Sequence, residues 1–458
     1  MFDTCVECNG RGYEAPAMGK MTLPSVSFSH DQAISLPHHR TTLSSAVTHI
    51  ATELSMLPFK IRPPAAIGGQ SRSMFDFTRF DDGDIAEQAA VCNNPRRQRP
   101  HQRWPYRGAT MMSTRYWTLA NGPVPGWPQA DTFVLKEGEV PRLRPGQALT
   151  RTIYVSLDPY QWGYKRRRIE PAGVPCHART VSQVIESRMD GFAAGDFVFN
   201  TNGWTEYALM GEGIWRPDYM VPRKLDPSLG RISQAVGVLG MLGLTAYAGM
   251  NLLASPRAGE TVVVSAASGG VGQIAGQLAK QRDARVVGIA GRNAKCQFVI
   301  EELGFNACVS HLSPSLPADL AAACPSGVDV YFENVGGKVF EAVLPLFNHA
   351  ARMTICGLIA HYGDEDGDAS RAALMKLGEP FFKARSVAVK NLRVGDFAAD
   401  HHEEMLAYVA PLVAAGRIKY REDIRQGLET IPTAFAEMLR GDNFGKTLVQ
   451  VSPDPTLA

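Results

Sequence analysis

The pattern of hydrophobic and polar positions divides the chain into regions of different kinds. Residues 116–225 carry short strand-like runs that Gly, Pro, Asp and Asn separate, which is typical of a compact β-rich domain. Across residues 232–361, apolar runs of strand length alternate with helical spacing, which indicates parallel strands joined by helices. The pattern therefore predicts an α/β protein, with a Rossmann domain built on a doubly wound parallel sheet and a second, β-rich domain.

These predictions rest on particular segments of the chain. In the β-rich region the expected strands are residues 132–135, 148–157, 180–186, 197–200 and 204–210. The expected parallel strands are the runs TVVVSA, RVVGIA, ACVS, VDVYFEN and ARMTICG. Beyond about residue 403, the spacing predicts two amphipathic helices and a last strand, near residues 405–414, 431–439 and 446–451.

The segment from Thr261 to Lys280 joins one of these strands to a helix through a glycine-rich turn. Ala267, Gly269 and Gly272 have the spacing of a dinucleotide fingerprint, with alanine in place of the first glycine. Such a turn leaves backbone N–H groups free at the positive end of the helix dipole, where a pyrophosphate can bind. Gly269 would let the phosphate approach the backbone, and Gly272 would let the helix pack closely on the strand. The alternative is an ordinary small-residue turn, which the strand–turn–helix context disfavours.

The residues after the second parallel strand favour one cofactor over another. An NAD site usually has Asp or Glu near the end of this strand to bind the ribose hydroxyls. Here the strand runs into GRNAKC, with Arg292 and Lys295, and the first carboxylate is Glu301. Two cations and no anion suit a 2′-phosphate, so NADP is expected rather than NAD. The alternative is that both cations are solvated residues at a helix start.

Composition limits the classes of protein to which the chain can belong. A chain of 458 residues has room for two or three domains, and a net charge of +2 gives no argument for nucleic acid or an anionic membrane surface. Eight scattered cysteines fit a reducing cytosol, and the one CxxC pair, Cys5 and Cys8, is only half a zinc site. Glycines, Thr245 and Asn251 interrupt the apolar run 236–254, which predicts a buried helix rather than a membrane span. A soluble cytoplasmic protein is expected.

Residues 1–110 differ from the rest of the chain. Their apolar periodicity is poor, and residues 94–108 are crowded with Pro, Arg and Gln. Such a segment cannot bury enough apolar surface to offset its ordering entropy. Met111 and Met112 stand just before periodic sequence begins. We therefore expect the first 110 residues to be a disordered extension or the product of a misplaced start codon.

A series of motifs resembles one known family. In chain order they are VSLDPY, GWTEYA, LGMLGLTAYAG, VSAASGGVGQIAGQLAK, VVGIAGRNAKC, EELGF, FENVGG, CGLIAHYG and NFGKTLVQV. Together, over residues 115–451, they resemble the zinc-independent medium-chain dehydrogenases/reductases, in particular alkenal double-bond reductases, prostaglandin reductases and bacterial curcumin reductases. The resemblance implies a β-rich GroES-like catalytic domain at 113–231 that residues 403–458 complete, an NADP-binding Rossmann domain at 232–402, and a homodimer.

The resemblance also implies roles for individual residues. Tyr362 faces the substrate near the nicotinamide, and Lys295 meets the 2′-phosphate. His311 stands where the family usually has a tyrosine that helps to hold the cofactor. Gln161, Trp162 and Gly163 depart from the family after LDPY, so the wall of the substrate pocket differs here. The remaining cofactor contacts that the resemblance implies are Ser268, Gly269, Gly270, Val271, Gly272, Asn334, Cys356, Gly357 and Asn443.

The expected reaction is hydride transfer from NADPH to the β-carbon of an α,β-unsaturated carbonyl compound. Tyr362 is the candidate donor to the developing enolate oxygen, because a phenol with a pKa near 10 stays protonated. No metal site is expected, since the cysteines are not clustered and His177 directly follows Cys176. The alternatives are a quinone reductase of the same superfamily and a non-catalytic NADP(H)-binding protein. The basic run 165–168 is interpreted as a solvated loop.

Overall fold

The structure is a computed structural model that describes residues 113–140 and 142–457. All of them lie in one compact unit, Arg97–Ala458. The expectations for residues 1–110 and for Cys5 and Cys8 fall outside the described residues. The strands are β1 (Ser113–Leu119), β2 (Phe133–Glu139), β3 (Gln147–Ser156), β4 (Thr180–Ser187), β5 (Phe197–Asn200), β6 (Tyr207–Gly211), β7 (Arg223–Lys224), β8 (Thr261–Ser265), β9 (Arg285–Ala290), β10 (Ala307–Ser310), β11 (Val328–Glu333), β12 (Phe347–Ile355), β13 (Ala388–Asn391), β14 (Glu422–Gln426) and β15 (Lys446–Gln450).

Helices connect most of the later strands. A π-helical segment, Ala248–Ala254, directly follows the second α-helix. The α-helices are α1 (Tyr160–Arg166), α2 (Met241–Tyr247), α3 (Gly272–Lys280), α4 (Asn293–Glu301), α5 (Leu316–Ala323), α6 (Gly337–Val343), α7 (Gly367–Arg385), α8 (Gly395–Ala414) and α9 (Ile431–Arg440).

The later strands form a parallel sheet whose order, in the described chain, is β10-β9-β8-β11-β12-β13. All of its neighbouring pairs are parallel. The chain reverses direction across the sheet between β8 and β11, which is the switch point where Rossmann folds bind their ligands. The predicted doubly wound parallel sheet is confirmed.

The other large sheet is mostly antiparallel and has the order β14-β15-β3-β4-β5-β7, with β6 also paired to β3. Strands β14 and β15 come from the end of the chain, yet β15 pairs with β3 through Val449 and Val155. The predicted β-rich part is therefore present, and the last residues of the chain complete its sheet. The domain boundaries at residues 231 and 402 stay predictions.

The core explains why the parallel strands are apolar on both faces. Side chains alternate across a strand, so Val262 and Val264 of β8 pack on one face, with α2, α3 and α8. Val263 points to the opposite face and packs with α5 and α6. All three valines are fully buried. Helices therefore cover both faces of the sheet, as continuous apolar runs predict.

The structure corrects several details. The run 236–254 is buried as expected, but it consists of α2 and the π-helical segment rather than one regular helix. The predicted helix at 405–414 is only the second half of α8. Strands β1, β13 and β14 and helix α7 were not among the predicted elements. No helix among the described residues is long and apolar enough to cross a membrane.

The interpretation of residues 165–168 as a solvated loop is wrong for Lys165 and Arg166, whereas Arg167 and Arg168 are exposed in a turn as expected. Lys165 lies in α1 and is fully buried, with its ammonium 3.0 Å from Glu170 and 4.9 Å from the ring centre of Trp204. Arg166 donates to the carbonyl oxygen of Tyr362 at 3.2 Å. A buried charge needs a partner, and here a carboxylate and an aromatic face supply it.

Candidate active site

A cavity of about 580 Å³ lies where the carboxyl end of the parallel sheet meets the β-rich sheet. Its wall includes the residues that follow β8, β9, β11 and β12. The segment that joins β3 to α1 and the start of β15 close it from the other side. A cavity at the switch point of a doubly wound sheet is the expected position for a nucleotide.

The glycine turn forms one part of this wall. The N–H of Gly269 donates to the carbonyl oxygen of Ala266 at 2.9 Å, and α3 begins at Gly272. A Cβ on Gly272 would lie 2.3 Å from the oxygen of Ala266, so the helix can approach the strand only with glycine here. The free N–H groups at the start of α3 border the cavity, where a phosphate would meet the positive end of the helix.

Basic side chains gather at the end of the cavity next to β9 and β10. Lys295, His311, Lys338 and Arg440 all lie on the wall there. The ammonium of Lys295 donates to the carbonyl oxygen of Gly441 at 2.6 Å and is otherwise free to meet an anion. Burial, followed by the charge of Lys338, lowers the pKa of His311. This cationic end suits the 2′-phosphate of an NADP molecule.

The structure separates the two cations that the sequence placed together. Lys295 lies on the cavity wall, whereas Arg292 does not. The guanidinium of Arg292 is exposed and lies 2.7 Å from a carboxylate oxygen of Asp442. Lys338 and Arg440, which the sequence analysis missed, lie on the wall instead. Lys338 directly follows the FENVGG motif, but Arg440 comes from a distant helix that no local pattern connects to the site.

Hydrogen bonds near the ends of the strands hold the residues in the middle of the cavity in place. The side-chain amide of Asn334 donates to the carbonyl oxygen of Ser265 at 2.7 Å, and the hydroxyl of Ser265 donates to Glu333 at 2.9 Å. Burial raises the pKa of the fully buried Glu333 carboxyl. Asn443 donates to the carbonyl oxygen of Gly445 at 2.9 Å. These contacts hold Asn334 and Asn443 on the wall.

Tyr362 lies on a short turn after β12. Its hydroxyl oxygen would be 3.0 Å from a Cβ on Gly357, so the phenol lies directly over this glycine. Burial, and then the neighbouring Cys356, raises the pKa of Tyr362 to about 12, which keeps the hydroxyl protonated. Arg166 reaches across from α1 to the backbone of this turn. Trp127 packs on the next residue, Gly363, and also lines the cavity.

Buried charges lie on the part of the wall that the β3–α1 segment and the start of β15 form, which we call the substrate end. Asp158 is within 2.8 Å of Arg179 and 2.9 Å of Lys446, and it accepts a hydrogen bond from Ser156 at 2.6 Å. Burial alone would raise the pKa of Asp158, but the two cations outweigh it and hold the pKa below its usual range. Burial lowers the pKa of Lys446 to about 8. The aromatic ring of Tyr160 packs against Arg179.

Twelve of the thirteen residues that the sequence assigned to the site line this one cavity, and Arg292 is the exception. The assigned roles stay predictions, but the placement brings together residues from widely separated parts of the chain. The twelve are Ser268, Gly269, Gly270, Val271, Gly272, Lys295, His311, Asn334, Cys356, Gly357, Tyr362 and Asn443.

In the part of the chain that the structure describes, no three His, Cys, Asp or Glu side chains come close enough to hold a metal ion. Cys176 is buried, and the Nε2 of His177 contacts the hydroxyl of Tyr160. The described residues therefore offer no ligand set for zinc.

Two family models match parts of this chain. Residues 115–215 match the family model of an N-terminal domain of oxidoreductase, and residues 270–412 match that of a zinc-binding dehydrogenase. The zinc that this description names has no ligand set among the described residues.

The chain is also similar to known proteins over nearly their whole length. NADPH-dependent curcumin reductase of Escherichia coli (strain K12) is 38% identical over 354 residues, covering 76% of this chain and 99% of the relative. NADP(+)-dependent 2-alkenal reductase of Nicotiana tabacum is 33% identical, covering 72% of this chain and 95% of the relative. The crystal structure of CurA from Vibrio vulnificus in complex with NADPH has 36% identity and a TM-score of 0.65, covering 74% of this chain and all of that one. The chain therefore belongs to the zinc-independent medium-chain dehydrogenase/reductase family.

Proposed function

We propose that this protein is an NADPH-dependent reductase of the carbon–carbon double bond in α,β-unsaturated carbonyl compounds. One observation carries the proposal: the protonated hydroxyl of the half-buried Tyr362 shares a single cavity with the glycine turn and the cationic end. The names of the similar curcumin and 2-alkenal reductases support this class of reaction and this cofactor.

The residues present fit the cofactor. Gly272 leaves room for a tight turn whose free N–H groups can bind a pyrophosphate, and Lys295, Lys338 and Arg440 supply charge for a 2′-phosphate. Bound NADPH supplies the hydride. The chain's own contribution is to bind both phosphate groups and to keep the reacting atoms between Asn334, Cys356 and Tyr362, away from bulk water.

Tyr362 provides the electrostatic part of the reaction. Hydride addition to the β-carbon moves negative charge onto the carbonyl oxygen of the substrate. A preorganised hydroxyl that donates to this oxygen stabilises the charge by about 3 kcal/mol in a site that excludes water. Arg166, which holds the backbone of the same turn, keeps the phenol in position.

A screen of the purified protein tests the proposal. NADPH oxidation is followed with enones, enals, quinones and simple saturated ketones, and NADH is run in parallel. We expect turnover of enones and enals with formation of the saturated carbonyl product, and much weaker activity with NADH. Turnover of quinones alone would favour the quinone-reductase alternative. Tight NADPH binding without oxidation by any acceptor would favour a non-catalytic role.

We propose further that the enzyme is a cytoplasmic homodimer with a small-molecule substrate. The scattered free cysteines support a reducing compartment. The exposed edge strand β13 supports pairing with a second copy, since unpaired edges readily add strands. Analytical ultracentrifugation tests the oligomer: a monomer at micromolar concentration would contradict it.

A further inference from the structure

Tyr160 and His177 form a hydrogen-bonded pair behind the substrate end of the cavity. The hydroxyl of Tyr160 lies 2.9 Å from Nε2 of His177. Tyr160 lines the cavity, whereas His177 is only 3% exposed and lies outside the wall. The histidine therefore contacts the phenol from the protein side. The side of the phenol that faces the cavity stays open.

The surroundings of His177 determine which partner donates in this pair. Burial, followed by the charge of Lys165, lowers the pKa of His177 to about 3, so the ring is neutral and carries one N–H. Its Nδ1 is buried and has no hydrogen-bond partner. An unpaired buried N–H is rarer in proteins than an acceptor left unpaired, which favours the proton on Nε2. His177 then donates to the oxygen of Tyr160, and the phenol proton is not used within the protein.

We propose that Tyr160 is the proton donor to the α-carbon of the substrate, a role that rests on the proposed function. After hydride has reached the β-carbon, the electron pair of the former double bond is shared by the α-carbon and the carbonyl oxygen. The O–H bond of Tyr160 breaks, its proton forms the new C–H bond at the α-carbon, and the bond's electrons stay on the phenolate. Solvent returns a proton to Tyr160 after the product leaves.

Two neighbouring groups offset part of the cost of the buried phenolate that this step creates. Nε2–H of His177 donates to the same oxygen, and the guanidinium carbon of Arg179 lies 5.3 Å from the centre of the Tyr160 ring. Tyr164 stacks on His177 with ring centres 5.6 Å apart and fixes the plane of the imidazole. Before the transfer, burial raises the pKa of Tyr160 well above its usual value, so the phenol carries its proton. Two tyrosines thus divide the reaction, with Tyr362 at the carbonyl oxygen and Tyr160 at the α-carbon.

Stereochemistry at the α-carbon tests the assignment separately from activity. An enone with a methyl group on its α-carbon gains a stereocentre there when the carbon is protonated. Product formed by the wild-type enzyme with NADPH is analysed by chiral chromatography at short reaction times. We expect a large excess of one enantiomer. Tyr160→Phe should still oxidise NADPH with this substrate, but its product should be nearly racemic because solvent then protonates either face.

Tyr408→Phe is the control for loss of a tyrosine hydroxyl. Tyr408 is exposed and does not line the cavity, so the enantiomeric excess should not change. His177→Leu removes the donor to Tyr160 and should lower the excess partly, which gives a second test if Tyr160→Phe does not fold. Racemic product from the wild type, or an undiminished excess from Tyr160→Phe, would overturn the assignment. Failure of the wild type to reduce any enone would instead overturn the proposed function.

Discussion

The two ends of the cavity hold their charges in different ways. At the phosphate end, Lys295, Lys338 and Arg440 line the wall; among the described residues the two lysines have no carboxylate partner, whereas Arg440 lies 3.3 Å from Asp442. At the substrate end, Asp158 lies between Arg179 and Lys446, and all three are at least 95% buried. The phosphate end therefore has two lysines without a carboxylate partner, whereas at the substrate end one buried carboxylate lies between two cations.

This difference indicates what each end does. The two lysines without a carboxylate partner attract a polyanion, so they act directly on cofactor binding. A buried ion cluster contributes little net attraction, because desolvation offsets most of the gain. Its effect is to hold the neighbouring aromatic groups, above all Tyr160, in fixed positions. We therefore expect substitutions at the phosphate end to change cofactor affinity and substitutions at the substrate end to change the chemistry.

The largest effect is expected at the glycine turn. Alanine usually stabilises a helix relative to glycine by about 1 kcal/mol. In Gly272→Ala, however, the new Cβ would lie 2.3 Å from the backbone oxygen of Ala266, and neither backbone segment can move freely. We expect a loss of about 2 kcal/mol in the free energy of unfolding, as for other overpacked sites. The dissociation constant for NADPH should rise by about 100-fold or more. Urea denaturation measures the free energy of unfolding, and calorimetry measures the dissociation constant for NADPH.

Gly163→Ala is the control for this substitution. Gly163 lies in α1, and the nearest atom to its added Cβ is the end of the flexible Arg167 side chain at 3.6 Å. This variant should be as stable as the wild type or slightly more so. An equal loss of stability in both variants would show that the close approach at Gly272 is not the cause.

Tyr362→Phe separates chemistry from binding. Loss of the hydroxyl should lower kcat/KM for an enone by about 100-fold, because one preorganised donor to an oxyanion contributes about 3 kcal/mol. The dissociation constant for NADPH should stay unchanged. Tyr408→Phe, at an exposed position outside the cavity, should keep full activity. Full kcat in Tyr362→Phe would remove this residue from the mechanism.

Lys295→Met examines the phosphate end alone. A charge-assisted hydrogen bond contributes about 1.5–3 kcal/mol, so the dissociation constant for NADPH should rise by about 10- to 100-fold. NADH lacks the 2′-phosphate and should bind almost as before. Arg292→Met is the matched control, since Arg292 pairs with Asp442 outside the cavity wall, and it should have little effect. If Arg292→Met weakened NADPH as strongly as Lys295→Met, the sequence-based pairing of the two cations would be right and the structural separation wrong.

Removal of metals should have the smallest effect. The described residues contain no group of three side chains that could hold a zinc ion. Dialysis against a strong chelator should leave the rate of NADPH oxidation with an enone unchanged. Activity that falls and returns on addition of zinc would contradict assignment to the zinc-independent branch of the family.

The elements that could be predicted from the sequence are those with a signal in a short stretch of the chain. The run of β-branched residues in β8, the small residues at 266–272 and the helical spacing after them lie within one short segment, so periodicity and turn chemistry suffice to place them. Tyr362 and Asn334 were found because they lie in motifs that resemble a family. Strand β13 was missed because it is short and fully exposed, without any apolar period.

The sequence by itself determined the strand–turn–helix unit and the α/β class, because those depend on short stretches whose side chains alternate with a fixed period. Its family motifs located twelve of the residues that line the cavity. Only the tertiary structure decided which charged side chains are buried, which are paired and which line the cavity. Lys165 is buried, Arg292 pairs away from the cavity, and Arg440 joins Lys295 across a long separation in the chain. The free energy of a charged side chain depends on its partners and its hydration, and both are fixed only when distant segments pack together.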